Sequence, residues 1–161
     1  MFGVGQPVPR KEDPRLVTGN GQFTDDIHLE GELHMAVFRS PYAHGRIESL
    51  DTSAARAARD VLRVYTAAEL SQLGGLPCRA VLKDRAGNDC FIPHRPVLAE
   101  DSVLFCGQAV AAVVARSRQA ARDAAELIDL QVEELPVVVD LEEATGPDAP
   151  VLHVQHGSNQ C

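Results

Sequence analysis

SVLFCGQAVAAVVARS, residues 102–117, contains an unbroken apolar run from Ala109 to Ala115. A strand with one face in water alternates apolar and polar residues, whereas a strand that is buried on both faces does not need to alternate. The run therefore predicts a central strand of a sheet, preceded by the conformationally flexible Gly107.

The residues that follow, RQAARDAAELID (118–129), predict a helix. Ser117 precedes them, and a serine oxygen at this position accepts a hydrogen bond from a free amide of the first turn. Small and aliphatic residues recur at helical spacing, while charged residues occupy the other side. The apolar set is Ala120, Ala121, Ala124, Leu127 and Ile128, and the charged set is Arg118, Arg122 and Asp129.

Working towards the N-terminus, strand-like and helix-like segments alternate. The predicted order is a strand in RIESLDTS (46–53), a helix in AARAAR (54–59), a strand in VLRVYT (61–66) and helical turns in AAELSQL (67–73). Asp51, Thr52 or Ser53 can cap the first of these helices, and Gly74-Gly75 should end the second. Residues 74–95 contain several breakers and predict an excursion or flap outside the core.

Two dipeptides before residue 40, Asn20-Gly21 and Glu30-Gly31, are typical of tight hairpins and predict two or three antiparallel strands. LQVEELPVVVD (130–140) adds a strand, a break at Pro136 and a second β-branched run. Strands that alternate with helices, together with hairpins, indicate an α/β (α+β) fold with a mixed sheet and a few packed helices.

The composition limits the function. The chain has 161 residues, 45% of them hydrophobic, no Trp, and a formal charge of −8. Nucleic acid and anionic membranes are bound by clustered Lys and Arg, so neither is an expected partner. No apolar window approaches the roughly 20 residues that span a bilayer, and no signal peptide is apparent, so we expect a soluble cytoplasmic protein.

The four cysteines, Cys78, Cys90, Cys106 and Cys161, are sparse and are expected to be reduced thiols. Cys106 is interpreted as a core residue. A zinc site formed by Cys78, Cys90 and His94 is the alternative, but it lacks a C-x-x-C pair and a fourth ligand. His153 and His156 have no neighbouring carboxylate or cysteine in the sequence, which favours a chance pair.

RSPYAHGRI (39–47) contains a serine and a histidine, and with Asp51 these have the residue types of a hydrolase triad. The context favours another interpretation, because no G-x-S-x-G elbow surrounds Ser40 and Pro41 terminates a strand. We expect a structural turn in which His44 bonds loop carbonyls.

Two further constellations are incomplete. Gly19 and Gly21 begin a dinucleotide-like pattern, but Thr24 stands where the third glycine is needed and no helix is apparent after it. Glu133 and Glu134 adjoin on a predicted strand, so they point to opposite faces and do not form an acid-base pair. We therefore assign no catalytic, cofactor-binding or metal-binding residue.

Four segments in fixed order resemble the large subunit of molybdenum hydroxylases of the xanthine dehydrogenase, aldehyde oxidase and carbon monoxide dehydrogenase type. The specific features are Arg39-Ser40-Pro41 with His44, then Gly107-Gln108, then Glu134-Leu135-Pro136. The segments are GVGQPVPRKEDPRLVTGNGQFTDDI (3–27), GELHMAVFRSPYAHGRIESLDTSAA (31–55), FCGQAVAAVVARSRQAARDAAELIDLQVEELPVVVD (105–140) and APVLHVQHGSN (149–159).

The resemblance implies an α/β hammerhead domain at residues 16–145, with an extended N-terminal arm at 1–15 and a linker at 146–161 towards an absent molybdopterin-binding domain. It also implies a parent oxidoreductase that contains molybdopterin, with FAD and [2Fe-2S] clusters on other domains or subunits. This chain alone is expected to be inactive. The alternative is a stand-alone interaction or assembly module with the same fold.

Overall fold

The structure, a computed structural model, describes residues 4–5, 7–79, 82–83 and 86–160. The chain divides into two compact units, Met1–Glu32 and Leu33–Cys161. Within the described part of the chain, no helix is long and apolar enough to cross a membrane.

The first unit contains helix α1 (Asp13–Val17) and a single 3₁₀ turn (Thr24–Asp26), but no strand among its described residues. Gly19, with φ +73°, ends α1: its amide donates to Leu16 O (3.2 Å), and the Asn20 amide donates to Arg15 O (2.9 Å). These two bonds form a Schellman C-cap. The predicted hairpin at Asn20-Gly21 is therefore wrong, because this segment closes a helix, and α1 begins inside the arm that was expected to be extended.

The described residues of the second unit form two separate three-stranded sheets. In the first, β5 (Ala109–Ala115) lies between β1 (His34–Arg39) and β3 (Val61–Tyr65), which confirms the predicted central strand. In the second, β2 (Gly45–Asp51) lies between β4 (Ser102–Val103) and β6 (Asp129–Glu134).

All ladders between these named strands are antiparallel, which corrects the expected mixed sheet. The reason lies in the connections, because each step from β1 to β6 along the chain passes from one sheet to the other. A crossover produces a parallel pair only when it returns to the same sheet. The α/β (α+β) fold class is confirmed, and its layers are antiparallel.

Three α-helices lie among the described residues of this unit, at the places where the sequence predicts them, and a 3₁₀ turn (Glu143–Thr145) follows β6. The helices are α2 (Ser53–Ala57), α3 (Ala67–Leu70), which continues as a 3₁₀ turn (Ser71–Leu73), and α4 (Arg118–Glu126). Ser117 Oγ accepts a hydrogen bond from the Ala120 amide (3.1 Å), which confirms the predicted cap of α4. At α2, Asp51 Oδ1 accepts from the Ser53 amide (2.8 Å), and this bond lowers the pKa of Asp51.

The core lies on both faces of β5. Ala111 and Val113 pack with α2, α4 and Val64 of β3, whereas Val110 packs with Leu130 of β6 on the opposite face. Period-two alternation places successive residues of a strand on opposite faces, so one apolar run supplies both clusters. The core is aliphatic, and the buried residues of the two clusters are Ala55, Val64, Ala99, Val103, Val110, Ala111, Val113, Ala124, Ala125, Ile128 and Leu130.

The segments outside the sheets differ in how far they match prediction. Residues 74–95 contain only two isolated bridges among the described positions, Gly75 with Pro96 and Lys83 with Asp89, consistent with an excursion. The second β-branched run, at 137–139, is not a strand, and Val139 is 90% exposed. Asn159 bonds Leu152 N, Ala144 O and Pro150 O through its side chain, so the expected linker has local structure of its own.

Glu69 joins α3 to α2. Its carboxylate accepts hydrogen bonds from the Thr66 hydroxyl, from the Thr66 amide (2.8 Å) and from the Arg56 guanidinium (2.6 Å). The Thr66 hydroxyl is the main cause that lowers the pKa of Glu69 from 4.5 to about 2, and the Thr66 amide and Arg56 lower it further. A capping box of this kind satisfies amides that the helix leaves free.

We expect Glu69→Gln to lower the free energy of unfolding by about 1 kcal/mol at pH 7. Because 35% of the Glu69 side chain is exposed, solvent screening reduces the effect of its large pKa shift. The contribution of a carboxylate with a lowered pKa is complete above pH 4.5 and is lost as the pH falls towards 2. Denaturation of wild type and variant at pH 7 and pH 3 measures this, and an equal difference at both values would contradict it.

Candidate functional site

The three sequence motifs meet at one place in the second unit. We call residues 39–45, 105–108 and 134–136 together the motif junction. Ser40, only 2% exposed, donates its amide hydrogen to Gln108 O (2.9 Å) and accepts from the Gly107 amide at its own carbonyl (2.8 Å). These two bonds connect the end of β1 to the turn that precedes β5.

The Ser40 hydroxyl belongs to a local turn. Its Oγ accepts from the Tyr42 amide (3.0 Å) and lies 3.2 Å from Tyr42 O, to which it donates. A serine that closes such a turn fixes the chain after Pro41. The hydroxyl is therefore occupied by its own loop.

His44 connects the first motif to the third. Its Nδ1 lies 2.7 Å from Pro136 O, and its carbonyl accepts from the Leu135 amide (3.0 Å). A carbonyl oxygen only accepts, so Nδ1 carries the proton. This geometry confirms that His44 fixes the exit from β1 by bonding a loop carbonyl. Ser40, His44 and Asp51 each bond a different backbone group and do not form a triad.

Arg39 and Gln108 hold the turn before β5. The Arg39 guanidinium donates to Gly107 O (2.8 Å), and Gln108, 8% exposed, accepts the Leu104 amide at Oε1 (2.7 Å). Buried polar side chains are stable when they are hydrogen-bonded in this way. The side chains of Arg39, Ser40, His44 and Gln108 thus bond backbone groups of the chain itself.

Two glycines in the junction have different roles. Gly107 has φ +89°, and a Cβ there would meet nothing within 4 Å, so this position needs glycine for its backbone angle and not for close packing. Gly45 is the closely packed one: its Cβ would lie 2.6 Å from Glu133 O and overlap the Val132 side chain. Sequence reasoning missed Gly45, although its place in the first motif was the available signal.

The residues of the alternative zinc site are not brought together into a metal site. Within the described part of the chain, no three His, Cys, Asp or Glu side chains form a group that could hold a metal ion. Cys78 and Cys90 are half-buried, and His94 lies 3.7 Å from the Glu100 carboxylate. Cys106 is exposed, which corrects its expected place in the core, because it lies in the turn before β5. Cys161 lies outside the described residues.

The remaining candidate residues take part in contacts that stabilise the fold. Gly19 ends a helix and does not open one, unlike the glycines of a dinucleotide site. Glu133 pairs with Arg46 across β2 and β6, and Glu134 is the next residue of the strand. His156 stacks on Phe91 with 4.1 Å between ring centroids, and His153 lies 6.0 Å from the same ring, an aromatic cluster that the sequence did not reveal.

Comparison with known proteins confirms the resemblance. Residues 18–136 match the family model described as "Aldehyde oxidase and xanthine dehydrogenase, a/b hammerhead domain". The chain is 42% identical over 137 residues to the nicotine 6-hydroxylase large subunit of Paenarthrobacter nicotinovorans, covering 85% of this chain and 16% of that one. It is 43% identical over 152 residues to the carbon monoxide dehydrogenase large chain of Afipia carboxidovorans, covering 94% of this chain and 18% of that one.

Solved structures agree with these relatives. Quinoline 2-oxidoreductase from Pseudomonas putida 86 superimposes with a TM-score of 0.79 at 39% identity, over 90% of this chain and 18% of that one. The Cu,Mo-CO dehydrogenase gives 0.72 at 42% identity, over 92% of this chain and 18% of that one. The chain thus spans 16% to 18% of the length of these two curated relatives. By its sequence match and its fold, the chain belongs to the aldehyde oxidase and xanthine dehydrogenase family, of which it contains the a/b hammerhead domain.

Proposed function

We propose that this chain is the N-terminal structural domain of the large subunit of a molybdenum hydroxylase, and that it is not catalytically complete by itself. The observation that carries the proposal is the match to the hammerhead family model over residues 18–136. The motif junction supports the structural role, because Ser40, His44 and Gln108 all bond backbone groups of the chain itself.

The proposed domain limits are 16–145 for the hammerhead, 1–15 for an arm and 146–161 for a linker to the rest of the subunit. The family match at 18–136 lies inside the proposed hammerhead limits. Helix α1, which begins at Asp13, crosses the proposed boundary between arm and domain.

The described residues do not offer the ligand set of an iron-sulfur cluster. A [2Fe-2S] cluster needs four ligands, usually cysteine thiolates, and no three side chains of ligand type are grouped in the described part of the chain. We propose that molybdopterin lies in the rest of the large subunit, and that FAD and [2Fe-2S] clusters lie on other domains or subunits. One relative is itself named as subunit gamma of a dehydrogenase complex, 40% identical over 141 residues.

Exposed apolar side chains favour a domain of a larger assembly over a stand-alone module that covers its own surface. Apolar side chains that form one contiguous surface are typical of sites that a partner covers, and Leu76 and Phe105 line the same groove. The exposed apolar side chains of the second unit include Met35 (67%), Leu76 (57%), Phe105 (58%), Val139 (90%) and Leu141 (87%).

We also propose the cytoplasm as the compartment. Cys90 and Cys106 are free thiols, and free thiols are usual where the compartment keeps cysteines reduced.

The molybdenum content and polypeptide mass of the native protein test the proposed function. The protein is captured from its source through an antibody against this domain, its mass is measured, and molybdenum is determined by inductively coupled plasma mass spectrometry. A molybdenum-containing protein or complex whose large chain is several times longer than 161 residues is the expected result. A molybdenum-free native protein of this length would refute the proposal and favour the interaction module.

A further inference from the structure

An open groove of about 620 Å³ lies beside the end of β1 and the start of β5. Its walls come from separate parts of the second unit: the motif junction, the loop at 93–97, Leu76 and the segment at 152–153. This volume is in the range of sites that hold a ligand or a short segment of a partner. The groove lies where two of the family motifs meet, since Arg39 of the first and Gln108 of the second both line it.

The groove walls are apolar and face water. Leu76, Leu104, Phe105 and Leu152 line it, and Phe105 and Leu76 are 58% and 57% exposed. Aromatic side chains and arginine are enriched at protein interfaces, and burial of the surrounding apolar surface excludes water from them. The apolar surface therefore predicts an occupant with apolar side chains.

The charge of the groove differs from that of the chain. The chain has 23 acidic and 15 basic residues, yet the ionisable described residues that line the groove are Arg39, His94, Arg95 and His153. Arg39 and Arg95 give the groove a positive charge on a protein with a formal charge of −8, and the Glu100 carboxylate, 3.7 Å from His94, does not line the groove. Electrostatic complementarity selects an occupant with a carboxylate.

Arg39 is prepared to bind that carboxylate. Its guanidinium already donates to Gly107 O (2.8 Å), which restricts its rotamers. A guanidinium has five donor hydrogens in a planar fork, so donors are left over for a carboxylate. An arginine that is held in place before binding loses less conformational entropy when the partner arrives.

We propose that this groove binds an extended peptide segment of a partner polypeptide, with an Asp or Glu side chain against Arg39 and Arg95 and apolar side chains against Leu104 and Phe105. The four walls and the water-facing aromatic ring fit a segment that continues on both sides of the groove better than a small enclosed ligand. The inference goes beyond the proposed function, because it requires no molybdenum chemistry.

Photocross-linking in the intact native protein tests the inference. p-Benzoylphenylalanine replaces Phe105, the purified protein is irradiated, and cross-linked peptides are identified by mass spectrometry. The matched control carries the same photoreactive residue in place of Leu62, which is 44% exposed on β3 and does not line the groove. We expect position 105 to cross-link one predominant peptide that contains Asp or Glu next to apolar residues, at a yield at least fivefold above position 62.

A charge-reversal variant tests whether the positive charge of the groove contributes to peptide binding, without removing a hydrogen bond that the fold needs. Arg95→Glu leaves the bond from Arg39 to Gly107 in place and puts a repulsive charge in the groove, so we expect the yield at position 105 to fall about tenfold. Arg59→Glu, at a side chain that is 95% exposed outside the groove, should leave the yield unchanged.

Several results would overturn the inference: no peptide above the position-62 control, a cross-linked peptide without a carboxylate, a non-peptide adduct as the main product, or an unchanged yield in Arg95→Glu. Molybdenum is measured on the same samples. A protein that contains molybdenum but gives no cross-link refutes the groove inference alone, whereas a metal-free protein with the expected cross-link refutes only the proposed function.

Discussion

Gly45→Ala is expected to destabilise the second sheet by about 3 kcal/mol or more, the largest effect of any substitution considered for this chain. A Cβ at position 45 would lie 2.6 Å from Glu133 O and overlap the Val132 side chain. Both neighbours belong to β6, which pairs with β2 along its length, so the two strands would have to separate. Real Cβ atoms do not approach a backbone oxygen this closely, and a ladder cannot shift locally without losing hydrogen bonds.

Hydrogen-deuterium exchange of the intact protein measures this effect where it arises. Amides of β2 and β6 should exchange about 100-fold faster in the variant if opening becomes easier by about 3 kcal/mol. The control is Gly107→Ala, where a Cβ meets nothing within 4 Å and only the backbone angle of φ +89° is strained. We expect about 1 to 2 kcal/mol there. Equal effects at both positions would show that close packing at Gly45 is not the cause.

This contrast shows where sequence reasoning succeeded and where it failed. A glycine is required either for its backbone angle or for the space that its missing side chain leaves. The sequence shows a glycine in both cases and does not distinguish the two roles. Gly107 directly precedes Gln108 and a predicted strand, but in the structure no atom beyond the glycine and its chain neighbours lies within 4 Å of the position that a Cβ would occupy there. Gly45 is crowded because β6, about 90 residues later in the chain, pairs with it. No local pattern contains that information.

The central strand and its helix were predictable because their signals are local and repeated. The apolar run at 109–115 and the alanine spacing at 118–126 each extend over several residues. Several residues in each segment therefore indicate the same buried face, and the prediction does not depend on any single residue. The cap at Ser117 follows from one side chain and an adjacent turn. The partner of each strand was not predictable, since the connections alternate between two sheets and the sequence predicted only one.

Short turn signals were less informative than long periodic ones. Asn20-Gly21 is a typical hairpin dipeptide, yet the left-handed residue is Gly19, one step earlier, where it closes α1. The same residues serve a helix cap or a hairpin, and the five-residue helix is too short to show a periodicity. The motif junction was recognised by residue order, but its hydrogen bonds, such as His44 to Pro136 O, connect positions far apart in the chain.

Gln108→Ala is expected to destabilise the turn before β5 by about 2 kcal/mol, the second largest effect. Gln108 is 8% exposed, and its Oε1 accepts the Leu104 amide at 2.7 Å. Alanine removes this acceptor and leaves a small cavity, so the Leu104 amide loses its partner in a part-buried position. The backbone bonds of residues 107 and 108 to Ser40 depend on the same turn, which extends the effect to the end of β1.

Exchange of the Leu104 and Ser40 amides in the intact protein measures the loss. A change of about 2 kcal/mol corresponds to exchange about 30-fold faster at both positions. Gln131→Ala is the matched control, because its side chain is exposed and bonds only the Asp129 carboxylate (2.8 Å), so its effect should stay within about 0.5 kcal/mol. If protection at Leu104 were lost while Ser40 kept its protection, the turn would not transmit the change to β1, and the motif junction would be three independent contacts instead of one cooperative structure.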